Sequence, residues 1–177
     1  YNLTSSSGGG LSDIFIVKLD VLGNFIWAKQ MTGSISRGYS LDIDASGNVY
    51  TTGVFWGSID FDPNAAAFTL SSAGGCDVFI SKLDASGNFL WAKQVGGSSD
   101  DIGAGIAVDS NNDVYITGTY NGTADLDPGT GSYTFISTGG TDVFILKLNP
   151  SGNFVWAKTV GGSTADAGNS ISIDINN

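Results

Sequence analysis

The sequence predicts an all-β protein assembled from a repeated unit, and three observations support this prediction. The chain has 177 residues, enough for one domain with a sizeable core. Its 17 acidic residues are all Asp, and it contains 26 Gly. Asp and Gly favour turns over helix interiors. A 17-residue segment occurs three times, and short apolar runs alternate with turn sequences between its copies.

The repeat has a period of 64 or 65 residues. Its best-defined segment reads DVFISKLDASGNFLWAK from Asp77 to Lys93, and the other two copies begin at Asp13 and Asp142. The residues between these copies also repeat, since DASGNVY at Asp44 corresponds to DSNNDVY at Asp109. We therefore interpret the chain, 1–177, as a single array. Its units lie at about 13–76 and 77–141, with partial units at 1–12 and 142–177.

Each unit divides into short strands separated by turns. In the middle unit the pattern predicts strands at 78–83, 88–95, 105–108 and 114–120, with a weaker strand at 133–137. In the turn that begins at Asp84, the Asp side chain can bond the turn backbone, and Gly87 can adopt a positive φ. Gly23, Gly47 and Gly152 hold the equivalent position, and Asn112 replaces the glycine in the turn after Asp109.

The strands are apolar on both faces. In the segment after Asp142, Val143 and Ile145 share one face, whereas Phe144 and Leu146 share the other. A sheet with one solvent-exposed face would alternate apolar and polar residues along its strands. Because both faces are apolar here, each sheet must lie between two others. Four-stranded antiparallel sheets stacked in this way are the blades of a β-propeller. The surplus residues at 57–73 and 122–138 are predicted to form a hairpin or loop that projects between the second and third strands of a blade.

The phasing predicts an incomplete or partial propeller. The chain holds two complete blades, half a blade before them and one strand after them. An open propeller leaves apolar faces and strand edges exposed. We therefore expect a fragment of a longer chain or a segment that associates with other copies, and an isolated chain that is marginally stable or self-associating.

The motif D-x-F-x-x-K-L-[DN]-x-x-G-N-F-x-W-A-K, followed by a Gly-Gly loop and V-Y-x-T-G, resembles the seven-bladed β-propeller repeat family (SBBP) of bacterial secreted and surface proteins. The F-D-P and L-D-P insertions look most like versions from Bacteroidetes, often exported by the type IX secretion system. The resemblance implies an extracellular or cell-surface scaffold for protein–protein or adhesive contact, as secretion cargo or as a component of surface or gliding machinery. It implies no catalytic residues. The first copy departs from the pattern, since Arg37 replaces the acid found at Asp101 and Asp166.

The composition excludes several classes of function. The chain has no His, which removes Ser-His-Asp and Cys-His catalysis and His-ligated zinc. The single Cys76 can form neither an internal disulfide nor a cysteine-only zinc site. The net charge of −10 disfavours nucleic acid and anionic membranes as partners, and the apolar runs are too short for membrane insertion. These features predict a protein that is not an enzyme and whose partners are other proteins, including the rest of its own propeller.

Paired acids are the strongest candidates for a ligand site. Two such pairs occur, Asp60 with Asp62 and Asp125 with Asp127. In each pair the two acids are separated by one residue, and a proline follows the second acid directly. Such carboxylates could bind Ca²⁺ together with backbone carbonyls, and calcium is the one cofactor that the sequence suggests. The favoured alternative is that these residues cap a turn. A catalytic pair of carboxylates, as in glycosidases, is the least favoured interpretation because both pairs belong to repeated turns.

Tryptophans supply the remaining candidates. Trp27, Trp91 and Trp156 recur in every copy, which favours a structural wedge between blades over an exposed sugar platform. Trp56 occurs once, beside the insertion, and is the predicted contact residue for a ligand or partner. It supports the alternative function, a carbohydrate-binding propeller assisted by calcium. The loop acids Asp100, Asp101 and Asp166 are interpreted as solvated charges.

Overall fold

The computed structural model describes residues 3–4 and 12–174, so most of the partial unit at 1–12 lies outside the described residues. The described part is all-β and contains no helix, as predicted, so it also contains no helix that could span a membrane. The strands are β1 Ile14–Leu19, β2 Phe25–Gly33, β3 Ser36–Ile43, β4 Val49–Phe55, β5 Ser58–Asp60, β6 Thr69–Ser71, β7 Asp77–Leu83, β8 Phe89–Gly97, β9 Ile102–Val108, β10 Val114–Asp125, β11 Thr134–Leu148 and β12 Phe154–Val160.

These strands form two complete antiparallel blades and part of a third. Blade B consists of β3, β4, β7 and β8, and blade C consists of β9, β10, β11 and β12, each paired in that order. Blade A is represented by β1 and β2. The described strands thus form two complete blades preceded by half a blade. The strand expected near Ile173 is absent, because an extended segment becomes a strand only by pairing and no described strand pairs with residues 168–174.

The insertion is a two-stranded hairpin between the second and third strands of a blade, as predicted. In blade B it is formed by β5 and β6, and in blade C by the end of β10 and the start of β11. The hairpin also pairs with the last strand of the preceding blade, with Ala124 opposite Gly97 and Asp60 opposite Thr32. A Cβ on Gly97 would overlap the carbonyl oxygen of Thr123, so this close pairing requires glycine.

The turns have the predicted chemistry. Asp84 Oδ1 accepts hydrogen bonds from the backbone N–H groups of Ser86 and Asn88, both at 2.8 Å. Gly87 has φ +80° and Asn112 has φ 64°, which confirms the two residue types expected at this position. The same pair of backbone bonds is accepted in the other turns by Asp20, Asp44, Asp109 and Asn149.

Blade B is covered on both sides. Every residue of β4 and of β7 is buried, including Phe79 at the centre of the blade. The indole nitrogen of Trp91, on β8, donates to the carbonyl oxygen of Pro150 in a turn of blade C at 3.2 Å. Trp27 makes the same bond to Ala85 in blade B. These contacts confirm that the two tryptophans join neighbouring blades.

Candidate functional site

A cleft of about 350 Å³ lies between the inserted hairpins of blades B and C. We call it the hairpin cleft. One wall comes from Phe68 and Leu70 of the blade B hairpin, and the other from Asp125 and Asp127 of the blade C hairpin. The end of β8, including Lys93, Gln94 and Gly96, lies between the walls together with Asp77. The fold therefore places one of the predicted acid pairs in a concave surface that two blades share.

The acids of the blade C hairpin bind its own backbone. Asp125 Oδ1 accepts hydrogen bonds from the N–H groups of Asp127 at 3.0 Å and Tyr133 at 2.8 Å. Asp127 Oδ1 accepts a bond from the N–H group of Gly129 at 2.8 Å. These are the bonds that the turn-capping interpretation predicts. Each carboxylate uses one oxygen in this way and keeps its second oxygen for another contact.

The blade B hairpin repeats this arrangement. Asp60 Oδ1 accepts bonds from the N–H groups of Asp62 at 3.1 Å and Phe68 at 2.8 Å, and Asp62 Oδ1 accepts the N–H group of Asn64 at 2.9 Å. Within residues 3–4 and 12–174, no group of three or more acidic, histidine or cysteine side chains is placed to hold a metal ion. Turn capping is thus the role that the contacts support, and calcium binding at the two pairs stays a prediction.

Asp77 is a buried acid of the cleft that sequence reasoning missed. It is 0% exposed, and its Oδ2 accepts bonds from Gln94 Nε2 at 2.5 Å and from the N–H group of Ala73 at 2.9 Å. Its Oδ1 has no hydrogen-bond partner in the described part of the chain. Burial raises the pKa of Asp77 above its usual range. The available signal was its position, since an Asp opens every copy of the motif, and Asp13 and Asp142 are buried too.

The interpretation of Asp101 as a solvated loop charge is wrong. Its side chain is 1% exposed, and its two oxygens accept bonds from the N–H groups of Gly97 at 2.7 Å and Asn121 at 3.1 Å. The loop after β8 folds back so that Asp101 binds both blades B and C. Burial raises the pKa of Asp101 to about 7, and the negative charges of Asp77 and Asp100 act in the same direction. Asp100, by contrast, is exposed as expected.

Trp56 lies apart from the hairpin cleft and is half-buried. The guanidinium of Arg37 lies over its ring, 5.7 Å from the centroid. The expectation that Arg37 replaces the acid found at Asp101 is wrong. Arg37 lies opposite Val54 as Ile102 lies opposite Thr119, and the N–H group of Ser36 donates to Ser12 as that of Asp101 donates to Cys76, so Ser36 is the counterpart of Asp101. Arg37 occupies one face of the ring, and contact of Trp56 with a glycan stays a prediction.

Comparisons with known proteins agree with this architecture. Residues 90–125, which run from β8 to the end of β10, match the family described as Beta-propeller repeat (SBBP). The fold is that of β-propeller blades. An uncharacterized WD repeat-containing protein of Acanthamoeba polyphaga mimivirus is 28% identical over 190 aligned positions, covering 98% of this chain and 14% of that protein.

A second relative is the regulatory protein FlaEY of Caulobacter vibrioides. It is 27% identical over 138 aligned positions, which cover 75% of this chain and 14% of that protein. The chain thus spans about one seventh of the length of either relative. The family match and the likeness to the WD repeat-containing protein support the propeller fold, and both likenesses concern a short part of each relative.

Proposed function

We propose that the protein is a non-enzymatic β-propeller scaffold that binds other proteins through the surface formed by its inserted hairpins. The observation that carries this proposal is the hairpin cleft, a concave surface that two blades form together. Each hairpin is held by pairing with the preceding blade, so the cleft is built on rigid elements. Its paired acids are bound to backbone N–H groups as turn caps, which supports a binding role over acid–base catalysis.

The charge of the cleft favours a basic partner segment. The chain carries a net charge of −10, and Lys147 forms its ion pairs with Asp109 and Asp113 away from the cleft. Asp125 and Asp127 form no ion pair within the described residues, and the cleft lining holds Asp77, Asp125 and Asp127 against the one cation Lys93. Complementary charge accelerates association and selects among partners. The cleft suits an extended peptide segment that carries Lys or Arg.

Binding of a lysine-rich peptide tests this proposal. We expect the chain to bind the peptide, and the double variant Asp125→Asn, Asp127→Asn to bind it about tenfold more weakly, since each partly screened charge contributes about 0.7 kcal/mol. Fluorescence anisotropy at low and high salt measures the affinity, and a glutamate-rich peptide of equal length serves as the negative probe.

Asp84→Asn is the matched control variant. Asp84 is a partly exposed turn acid outside the cleft. Asn149 makes the same two backbone bonds in the third copy, so the turn survives the change. The proposal is contradicted if Asp84→Asn weakens binding as much per charge as the cleft variants do, because net charge alone would then explain the interaction.

We further propose an extracellular or cell-surface location, with an adhesive or scaffolding role as type IX secretion cargo or as a component of surface or gliding machinery. The support is the resemblance of the motif and of the F-D-P and L-D-P insertions to exported bacterial repeats. Protease treatment of intact producing cells, followed by immunoblotting, checks the location. We expect the protein to be digested before lysis together with a known surface protein. Digestion only after lysis would contradict the proposed location.

A further inference from the structure

The free edge of β8 lies on the floor of the hairpin cleft. On one side, β8 pairs with β7 along its length from Phe89 to Val95. On the other side, the blade C hairpin pairs with Gly96 and Gly97 alone. No other strand in the described part of the chain pairs with this outer edge. Blade B has all four of its strands, so the free edge is a property of a complete blade.

This edge carries backbone groups that can bind a further strand. Successive residues of an antiparallel strand direct their N–H and C=O groups alternately to its two sides, so half of these groups in β8 point away from β7. Residues 92–95 of β8 line the cleft. The molecule already uses the same edge two residues farther along, where the blade C hairpin pairs antiparallel with the end of β8. A strand of another chain can therefore pair with the residues before that point.

A missing side chain leaves the space beside β8 open. In the neighbouring copy, the ammonium group of Lys29 on β2 donates a hydrogen bond to the side-chain oxygen of Asn64 in the blade B hairpin, at 3.0 Å. The corresponding residues at the cleft are Lys93 and Gly129. Glycine has no side chain that could reach the lysine. The contact between hairpin and strand that is made at β2 is therefore missing at β8.

The two walls of the cleft differ in their chemistry. Phe68 and Leu70 form an apolar wall, and the ring of Phe68 packs against that of Phe89 on β8 with 4.9 Å between the centroids. Asp125 and Asp127 lie where the blade C hairpin meets the carboxyl end of β8. Side chains alternate between the two faces of a strand. A strand bound along β8 would thus direct every second side chain to the apolar wall and bring one end to the two carboxylates.

We propose that the hairpin cleft binds an extended segment of a partner protein as an additional strand of blade B, antiparallel to β8. The amino end of this segment carries Lys or Arg beside Asp125 and Asp127, and its following residues place an apolar side chain against Phe68 at every second position. The direction follows the antiparallel pairing of the described strands with β8. This inference rests on the proposed function of the cleft and adds the binding mode and the sequence pattern of the partner.

Charge selects the occupant of the cleft. The lining holds Asp77, Asp125 and Asp127 against the single cation Lys93, which favours a basic segment. A second copy of this chain is a poor occupant, because two chains with a net charge of −10 repel each other. In strand addition the main-chain hydrogen bonds supply affinity, and the alternate side chains supply specificity. The occupant is therefore a basic segment of a different protein.

N-methylated peptides test the binding mode. The probe is a short labelled peptide with two lysines at its amino end, followed by alternating valine and threonine. We expect it to bind the unaltered chain in fluorescence anisotropy. The N–H groups of every second residue of an added strand face β8. N-methylation of that alternating set should weaken binding about tenfold or more, whereas N-methylation of the other set should change the affinity less than about twofold.

Phe68→Ser and Tyr133→Ser form a matched pair of chain variants. Tyr133 is the counterpart of Phe68 in the blade C hairpin and is 43% exposed, against 39% for Phe68, but it does not line the cleft. We expect Phe68→Ser to weaken binding of the probe about fivefold or more, because the apolar wall loses its aromatic ring. Tyr133→Ser should leave the affinity unchanged. Equal weakening by the two variants would overturn the proposal.

The outcomes separate this inference from the proposed function. Binding that depends on Asp125 and Asp127 but responds equally to the two N-methylated sets would overturn strand addition and would leave the basic-peptide proposal standing. Absence of binding by every lysine-containing peptide would overturn both. Sedimentation measures the competing occupant. A dimer of the unaltered chain that Phe68→Ser dissociates would assign the edge of β8 to a second copy and also overturn the inference.

Discussion

The Gly118→Ala variant is expected to lose the native packing of blade C, with a decrease of about 3 kcal/mol or more in the free energy of unfolding. Gly118 lies in β10 at a shift in the pairing register with β9. A Cβ there would overlap the carbonyl oxygen of Ile102 and would crowd the ring of Phe144. Both neighbours are fixed, one in the backbone of β9 and the other in the core. Urea unfolding followed by tryptophan fluorescence measures the effect.

Gly38→Ala is the matched control on β3. A Cβ at Gly38 would meet its nearest neighbours, Ile14 and Thr51, at 3.5 and 3.7 Å, which is ordinary contact. We expect its free energy of unfolding to remain within about 0.5 kcal/mol of the unaltered chain. Equal stability of the Gly38→Ala and Gly118→Ala variants would contradict the close approach of β9 and β10.

The Asp77→Asn variant is expected to be more stable than the unaltered chain at mildly alkaline pH. Asp77 and Asp101 are both buried, and no ion pair neutralises them within the described ranges. Asn would keep the two bonds that Asp77 Oδ2 accepts and would place its amide nitrogen where Oδ1 accepts none. Removing this charge should lower the pKa of Asp101 and raise the free energy of unfolding near pH 8 by about 1–2 kcal/mol.

The pH dependence gives the same prediction a second measurement. The pKa of Asp101 is about 7 in the folded chain, against an ordinary value of 3.8. Between these values the folded chain holds a proton that the unfolded chain has released, so stability falls as the pH rises from about 4 to 7. We expect unfolding measured near pH 5 and near pH 8 to show this loss, and Asp77→Asn to reduce it.

The Asp84→Asn variant, at a partly exposed turn position, controls for the change in net charge. The pKa of Asp84 lies below its usual range because Asn88 and the turn backbone donate hydrogen bonds to the carboxylate. Its replacement should therefore leave the slope between pH 5 and pH 8 unchanged. A loss of stability in Asp77→Asn at every pH would show that the buried carboxylate contributes more through its hydrogen bonds than it costs through its charge.

Local features of the fold could be predicted from the sequence, whereas pairings between distant segments could not. The turn at Asp84 was predictable because its hydrogen bonds stay within four residues. The hairpin insertion was placed correctly between the second and third strands. Its pairing with the preceding blade, in which Ala124 lies opposite Gly97, could not be predicted because no periodic pattern in the sequence reports it. The same limit applies to the strand expected near Ile173, whose assignment depended on a pairing partner.

The candidate site was only partly predictable for a related reason. The sequence pattern identified Asp125 and Asp127 because the same Asp-x-Asp-Pro motif occurs in the preceding repeat. Asp77 was overlooked, and Asp101 was wrongly interpreted as solvated, because Asp is an exposed residue on average. Burial of an acid depends on which backbone N–H groups the fold brings to it. Only the three-dimensional arrangement shows that the loop after β8 brings the Asp101 carboxylate to the backbone N–H groups of Gly97 and Asn121.

The pairing of each hairpin with the blade before it gives the array a mechanical polarity. Blade C holds the end of β8 in blade B, and the blade B hairpin holds the end of β2 in blade A, but no described hairpin acts in the opposite direction. Pulling on the carboxyl end would remove the support of each preceding blade in turn. Pulling on the amino end would release blade A while blade B kept the support of the blade C hairpin. The array would therefore resist force from its two ends unequally, although its repeats are nearly alike.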